Sequence, residues 1–268
     1  MHTENYSMNK LLLARAAAFM LILAGPAVAA DMPMGFPPMA PAPFSWTSCY
    51  VGAHAGGGFA QKAMTDPVQL VQDSFLGFGA TVGTTTVNAS PSGAVVGGQI
   101  GCDYQFASTW VAGIEGAASG STMRGSASVP LPLGALGDTA TVTARTDFLP
   151  SLTARLGYAI DRVLLYGKGG AAWAGDKYTV TGSFTVPPST GFGFEGLEAR
   201  TGWTAGAGVE WAFYRHWSAS LEYDFYQFGH RTTLMSDTIN GFTGNMDAKQ
   251  SVQVVKLGVN FHMWSSGW

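Results

Sequence analysis

The residues of this sequence that could do catalytic chemistry are a histidine and a serine two positions apart. His216 precedes Ser218 with one residue between them, so a strand would place both side chains on one face. A base beside a hydroxyl can activate it as a nucleophile, but an acidic residue must orient that base. We place His216 in a turn and Ser218 on the polar face of the next strand, where no acid is positioned for that role. The sequence therefore predicts no enzyme.

Motifs for cofactors, metals and nucleic acids are equally weak. Gly191, Gly193 and Gly196 match the spacing of dinucleotide-binding glycines, but no strand and helix alternation surrounds them. The 14 Lys and Arg against 17 Asp and Glu give a net charge of -3, without the basic surface of a nucleic-acid binder. The four histidines that follow the N-terminal segment are scattered without metal-ligand spacing: His54, His216, His230 and His262. We predict no cofactor, no metal and no nucleic-acid partner.

Charged residues recur at every second position of strand-like segments. Across residues 217–225 the odd positions are apolar, whereas the even positions are Ser, Ser, Glu and Asp. When the apolar side sets the phase of each segment, every charge within it falls on the opposite side. These polar faces carry Asp103, Glu115, Arg145, Asp147, Arg155, Lys168, Arg200, Glu210, Glu222, Asp224 and Lys256.

Eight such segments follow one another along the chain, and the connections between them alternate between short and long. The predicted strands cover residues 47–57, 94–106, 110–118, 145–158, 163–173, 201–213, 217–225 and 255–262. Short connections lie near residues 107–108, 161–162 and 215–216, and long ones span roughly 61–92, 119–143, 176–198 and 229–249. Strict short and long alternation over an even number of strands is typical of outer-membrane barrels.

Composition and the positions of aromatic residues favour the same fold class. Only 12% of the residues are charged and 47% are hydrophobic, yet no run of 18 or more apolar residues follows the N-terminal segment. Aromatic residues cluster at strand ends, as expected of the girdles of a membrane barrel. We predict an all-β protein: an eight-stranded antiparallel transmembrane β-barrel with short periplasmic turns and long extracellular loops. A soluble β-sandwich is the alternative.

Pro150 fits this barrel less well, because proline removes a ladder hydrogen bond. We expect a bulge there, near the extracellular end of the fourth strand. If the strand begins after Pro150 instead, Arg145 and Asp147 belong to the loop.

The N-terminal residues have the pattern of an export signal. Lys10 and Arg15 precede an uncharged stretch that ends in small residues at 27–30. We assign residues 1–30 to a cleaved signal peptide, 31–45 to a Pro-rich extended linker with no core to bury, and 46–268 to the barrel domain.

Several motifs together resemble the small outer-membrane β-barrel family of Gram-negative bacteria, and most closely the porin-family surface antigens of alpha-proteobacteria. More distantly they are similar to the transmembrane domain of OmpA and the opacity proteins. The motifs include Gly97-Gly-Gln-Ile-Gly-Cys-Asp-Tyr-Gln-Phe106, Leu165-Tyr-Gly-Lys-Gly-Gly-Ala171 and Val255-Lys-Leu-Gly-Val-Asn-Phe261. The resemblance covers essentially all of residues 46–264.

The resemblance implies an outer-membrane location and a set of partners. These are outer-membrane lipid and lipopolysaccharide, with the barrel-assembly machinery and periplasmic chaperones during biogenesis, and a monomer is favoured. Family members usually end on the aromatic that closes the last strand, but Ser265-Ser-Gly-Trp268 follows here. The C-terminal assembly signal would then use Phe261 with Trp264 or Trp268.

The two cysteines of the chain are expected near the periplasmic ends of neighbouring strands. Cys49 lies near the start of one strand and Cys102 near the end of the next, and the periplasm is oxidising. A disulfide is the favoured interpretation. Two unpaired lipid-facing thiols are the alternative, because directly paired strand positions do not always allow the required torsion.

The interior charges lead to the functional expectation. An eight-stranded barrel is only wide enough for side chains to fill, so charges of mixed sign should pair inside it. The candidate network comprises Asp103, Glu115, Arg155, Lys168, Arg200, Glu210, Glu222, Asp224 and Lys256. We expect a plugged barrel with a structural, surface-exposed role. A narrow or gated porin is the alternative, and a lipid-modifying enzyme, which the His216 and Ser218 pair resembles, is a more distant one.

Overall fold

A computed structural model describes residues 44–65, 86–130, 138–184, 190–239 and 243–264. The predicted signal peptide and most of the predicted linker lie outside these residues. The described part contains no helix long and apolar enough to cross a membrane. It consists of strands β1 (Ser48–Thr65), β2 (Thr86–Ala89), β3 (Ser92–Phe106), β4 (Trp110–Pro130), β5 (Thr139–Ile160), β6 (Val163–Phe184), β7 (Thr190–Tyr214), β8 (Trp217–Asp237) and β9 (Thr243–His262).

The strands form one antiparallel ring that closes between β1 and β9. β2 and β3 both pair with β1 in one continuous register and are separated only by Ser90 and Pro91, so they are two parts of one strand. The ring therefore has eight positions, and the predicted eight-stranded antiparallel barrel is confirmed. Following paired residues once around the ring leads from Tyr50 to Ala60, ten residues further along β1. Such a stagger requires strands tilted by about 40°.

The three predicted short turns are present at one end of the barrel, here called the turn end. Ala107 and Ser108 between β3 and β4 both have positive φ, 49° and 65°, as a tight turn that matches the strand twist requires. Asp161 between β5 and β6 has φ 51°. The opposite end, where the longer connections lie, is called the loop end.

The strands continue much further towards the loop end than predicted. β6 and β7 pair without interruption from Val163↔Trp211 to Phe184↔Thr190, although residues 176–198 were expected to form a loop. Strands also occupy most of the predicted connections 119–143 and 229–249, and residues 61–65 and 86–89 of the predicted connection 61–92. The predicted strands end where the outward side chains are no longer apolar. Backbone hydrogen bonds between strands do not require apolar side chains, so the strands continue beyond that point.

A β-bulge in β5 reverses the side-chain phase at the place where the sequence was ambiguous. The register with β6 shifts by one residue between Thr146 and Phe148, so the bulge lies at Asp147 and not at Pro150. Pro150 itself stays in register with Ala118 of β4. Because a one-residue bulge exchanges the two faces, Arg145 and Asp147 point outward. They belong to strand β5 but not to the interior, which corrects their assignment to the polar inner face.

An apolar band surrounds the turn-end half of the barrel wall. On β7 it runs from Trp203 to Phe213, the length of about 9–11 residues that a tilted strand needs to cross a bilayer. Aromatic side chains mark both edges of the band, with Phe59, Trp173 and Trp203 towards the loop end. The exposed apolar side chains include Ile100, Tyr104, Trp110, Ile114, Phe148, Leu152, Leu156, Leu165, Trp211, Trp217, Leu221, Leu257 and Val259.

Candidate functional site: the filled lumen

The interior of the barrel is the site on which the function depends, because channel, enzyme and structural roles make different demands of it. Inward side chains form five layers from the turn end to the loop end. An apolar layer is followed by an ionic layer, a second apolar layer, a second ionic layer and a third apolar layer. Each is built from alternate residues of several strands, as the two-residue strand period dictates.

Arg155 is the centre of the first ionic layer. Its Nη2 lies 2.8 Å from Glu210 Oε2, and its Nη1 donates to the hydroxyl of Tyr50 at 2.7 Å. Asp103 and Glu115 approach the same guanidinium at 3.5 and 3.7 Å. The guanidinium also stacks over the ring of Tyr166, 4.1 Å from its centroid. A buried arginine fork with several carboxylates and rings around it is held in one orientation.

Two lysines complete this layer. Lys168 Nζ lies 2.9 Å from Glu115 Oε1 and 2.6 Å from Glu222 Oε1. Lys256 Nζ lies 2.7 Å from Glu222 Oε1 and 2.6 Å from Asp224 Oδ2. The structure thus brings eight of the nine predicted network residues into one connected group: Asp103, Glu115, Arg155, Lys168, Glu210, Glu222, Asp224 and Lys256.

Uncharged polar side chains extend the first ionic layer to the rest of the ring. Asn260 donates to Glu210 Oε1 at 2.8 Å and accepts a hydrogen bond from Gln99 at 2.7 Å. His54 hydrogen-bonds to Gln99 and, at 2.8 Å, to Ser119. The layer encloses a cavity of about 10 Å³, which is room for about one water molecule.

The ninth predicted residue, Arg200, belongs to a separate ionic layer nearer the loop end. Its Nη2 lies 2.8 Å from Glu198 Oε2 and its Nε lies 3.4 Å from Asp176 Oδ2. Lys62 Nζ reaches the same Asp176 at 2.8 Å. Sequence analysis missed Lys62, Glu198 and Asp176 because all three fall in segments predicted as loops. Only at Glu198, where Glu198 and Arg200 alternate with Leu197 and Ala199, did the sequence carry an indication of a continuing strand.

Apolar layers separate and enclose the two ionic layers. The middle layer contains Ala60, Val95, Met123, Leu149, Ala172, Ala174, Tyr226, Phe228, Val252 and Val254. The loop-end layer contains Met64, Val87, Ala89, Val129, Ala140, Val142, Ala144, Tyr178, Val180, Phe192, Phe194, Met235, Met246 and Ala248. Above the outer apolar band the barrel therefore has an inside-apolar pattern like that of a water-soluble barrel.

The segment before β1 closes the turn end of the lumen. Trp46 is fully buried, and its indole Nε1 donates to the carbonyl of Asp161 at 3.2 Å. The backbone N–H of Trp46 donates to Gln105 Oε1 at 2.8 Å. Phe44 packs edge-on against this indole at 5.0 Å and is buried. Phe44, near the end of the predicted linker, thus does bury its side chain, contrary to the expectation for that segment.

The candidate catalytic pair that the sequence analysis considered, His216 and Ser218, is not assembled. His216 Nδ1 interacts with the carbonyl of His262 at 3.0 Å, whereas Ser218 faces the lumen. There the Ser218 hydroxyl donates to Glu210 Oε1 at 2.5 Å and lies 3.0 Å from His262 Nε2. Both contacts of His262 with the serine and the glutamate involve Nε2, so the glutamate cannot orient the imidazole through Nδ1 as in a hydrolase. Ser218 is also completely buried.

The remaining predicted site residues lie as follows. Cys49 and Cys102 are direct partners in the β1–β3 ladder and form a disulfide. Phe261 ends the outward face of β9, and Trp264 is exposed just beyond it; Trp268 lies outside the described residues.

Gly191, Gly193 and Gly196 are part of β7, where no helix follows. Within the described ranges, no group of three His, Cys, Asp or Glu side chains is placed to hold a metal ion.

Comparison with known proteins agrees with the closed ring and its apolar outer band. A family model for the outer membrane protein beta-barrel domain matches residues 51–261. The chain belongs to this family. It is an outer-membrane protein, and the apolar band is its lipid-facing surface.

Relatives of the family span nearly the whole chain. The 31 kDa outer-membrane immunogenic proteins of Brucella melitensis biotype 1 and Brucella suis biovar 1 are each 30% identical over 263 residues, covering 95% of this chain and 99% of theirs. Among solved structures, the outer membrane protease OmpT from Escherichia coli aligns with a TM-score of 0.48 and 8% identity, covering 82% of this chain and 98% of that chain.

Proposed function

We propose that this protein is a structural, surface-exposed component of the outer membrane whose lumen is closed to solutes. One observation carries the proposal: five successive layers of side chains fill the lumen described above. A conducting pore needs a continuous polar path, and three of these layers are apolar. The name of the Brucella relatives, outer-membrane immunogenic protein, supports a role at the cell surface.

The ionic layers support the same proposal. Removing a partner from a buried ion pair leaves an uncompensated charge that costs about 3–5 kcal/mol. Arg155 and Lys168 each contact several carboxylates on different strands. These pairs therefore resist separation, and they connect opposite walls of the barrel.

Single-channel recording in planar bilayers tests the proposal. Wild-type protein should be silent or show only small, flickering currents. Lys256→Gln should also lack steady current, because the apolar layers on either side of its ionic layer remain in place. Large, steady conductance from monomeric wild-type protein would show that the protein is a porin.

Biogenesis partners follow from the same location. We propose recognition by the barrel-assembly machinery through the aromatic C-terminus, where Phe261 and Trp264 are exposed, with periplasmic chaperones before insertion. The barrel is proposed to act as a monomer, since its ring has no free edge.

A further inference from the structure

Three cations lie side by side on the outer wall of strands β4, β5 and β6. Arg124 is the direct partner of Arg145, and Arg145 is the direct partner of Lys177. All three side chains are at least partly exposed and point away from the lumen. Like charges directly opposite each other on neighbouring strands repel. The arrangement is therefore unfavourable for the barrel alone and needs anions nearby.

The protein itself supplies only part of that negative charge. Arg145 Nη2 lies 3.2 Å from Asp147 Oδ1, and Lys177 Nζ lies 3.0 Å from Glu195 Oε2. Both pairs are partly exposed, and ion pairs of this kind contribute little and exchange easily. Within the described part of the chain, no carboxylate oxygen lies within 4.0 Å of Arg124.

The position of the row relative to the lipid-facing band is defined on two of the strands. On β5, Phe148 follows directly after the bulge at Asp147 and is half exposed. On β6, the outward Trp173 lies four residues before Lys177. The three cations therefore lie just beyond the aromatic edge of the band, at the level of lipid headgroups in the outer leaflet.

Hydroxyl groups occupy the same three strands immediately above the cations. Ser126, Thr143 and Thr179 form one row of direct ladder partners. A second row, two residues further towards the loop end, consists of Ser128, Thr141 and Thr181. All six side chains point outward.

We infer that this face of β4–β6 binds a phosphorylated glycolipid of the outer leaflet. From the band towards the loop end, the face is apolar, then cationic, then hydroxyl-bearing. A glycolipid of this kind presents acyl chains, phosphates and sugars in the same order. Guanidinium groups bind phosphate through paired charge-assisted hydrogen bonds, and hydroxyl groups can donate to and accept from sugar hydroxyls. The inference depends on the outer-membrane location and is independent of whether the lumen conducts.

Equilibrium binding of diphosphoryl lipid A to the full chain in detergent micelles tests the inference. Loss of one charge-assisted hydrogen bond corresponds to about tenfold in affinity, so Arg124→Gln and Lys177→Gln should each weaken binding about tenfold. Lys249→Gln is the matched control, because Lys249 is an exposed cation on β9 outside this face; it should leave binding unchanged. Heat-modifiable electrophoretic migration verifies that each variant is folded.

Further ligands test the site with wild-type protein, and one more variant tests the rows of hydroxyl groups. Wild-type protein should bind dephosphorylated lipid A and phosphatidylglycerol much more weakly than diphosphoryl lipid A. Thr143→Val should weaken binding of a glycolipid that carries core sugars and leave lipid A binding unchanged. Equal affinity for the phosphorylated and dephosphorylated forms, or equal loss in Arg124→Gln and Lys249→Gln, would overturn the proposed site.

Discussion

Single glycines decide whether the large polar side chains of the lumen fit. A Cβ atom on Gly206 would lie 2.2 Å from Asp224 Oδ1 and 2.7 Å from the carbonyl of Tyr223. Gly208 leaves similar space for the hydroxyl of Tyr166. The glycines beside the ionic layer are therefore part of the network, although they carry no charge.

Gly206→Ala tests this role. The added methyl group meets backbone as well as Asp224, and overpacking of this kind costs about 1–3 kcal/mol. We expect a lower free energy of unfolding in urea titrations monitored by heat-modifiable migration. Gly57→Ala is the control, since a Cβ there meets nothing within 4 Å. Equal stability of the two variants would contradict the close fit.

Arg155 is the residue whose loss should affect the first ionic layer most. Arg155→Met leaves Asp103 and Glu210 without their cation, and the expected loss of stability is about 3–5 kcal/mol. Acidification should reduce that loss, because protonation removes the unpaired negative charges. Arg231→Met, at an exposed arginine on β8, should change stability by less than about 1 kcal/mol at any pH. Unfolding titrations at neutral and acidic pH measure both effects.

Among the elements, sequence periodicity identified every strand that crosses the membrane, but not where the strands end. Within the band, outward apolar and inward polar residues differ so clearly that the phase of β8 and β9 follows directly from residues 217–225 and 255–261. Beyond the band both faces are less distinct, since many outward residues are Ser or Thr and the inward ones mix apolar side chains with the charges of the second ionic layer. The bulge at Asp147 could not be located because only backbone pairing defines it.

The phase of β9 gives a prediction about membrane insertion. Leu257 points outward within the band and is 66% exposed, so Leu257→Arg would place a charge in lipid at a cost of about 2–4 kcal/mol. Asn245→Arg places the same side chain on the same outward face beyond the band, where the cost is about 0–1 kcal/mol. We expect a reduced yield of folded, heat-modifiable protein only for Leu257→Arg. Comparable yields would mean that β9 has been assigned the wrong face.

At the scale of the whole molecule, the proposed closure of the lumen does not depend on any one layer. Three apolar layers lie in series, and the segment at Phe44 and Trp46 completes only the one at the turn end. Loss of a single layer should therefore reduce stability without creating a pore.

Trp46→Ala tests this redundancy. Removal of a fully buried indole costs about 3–5 kcal/mol, which thermal unfolding should reveal. Bilayer recordings of the variant should nevertheless remain free of steady current, because the middle and loop-end layers are intact. Trp264→Ala, at an exposed tryptophan, is the control and should have a smaller effect on stability. Steady conductance in Trp46→Ala alone would identify this segment as the sole gate.

Strands β6 and β7, which pair without interruption, extend well beyond the lipid-facing band. From Trp203 at the band edge to Thr190, thirteen residues at about 3.3 Å each on strands tilted by about 40° give a height of roughly 30 Å. The described part of the barrel thus resembles a pillar whose loop-end half stands clear of the lipid. A large molecule that approaches from the loop end would reach the end of this pillar first, and sequence change there would leave the lipid-facing band untouched.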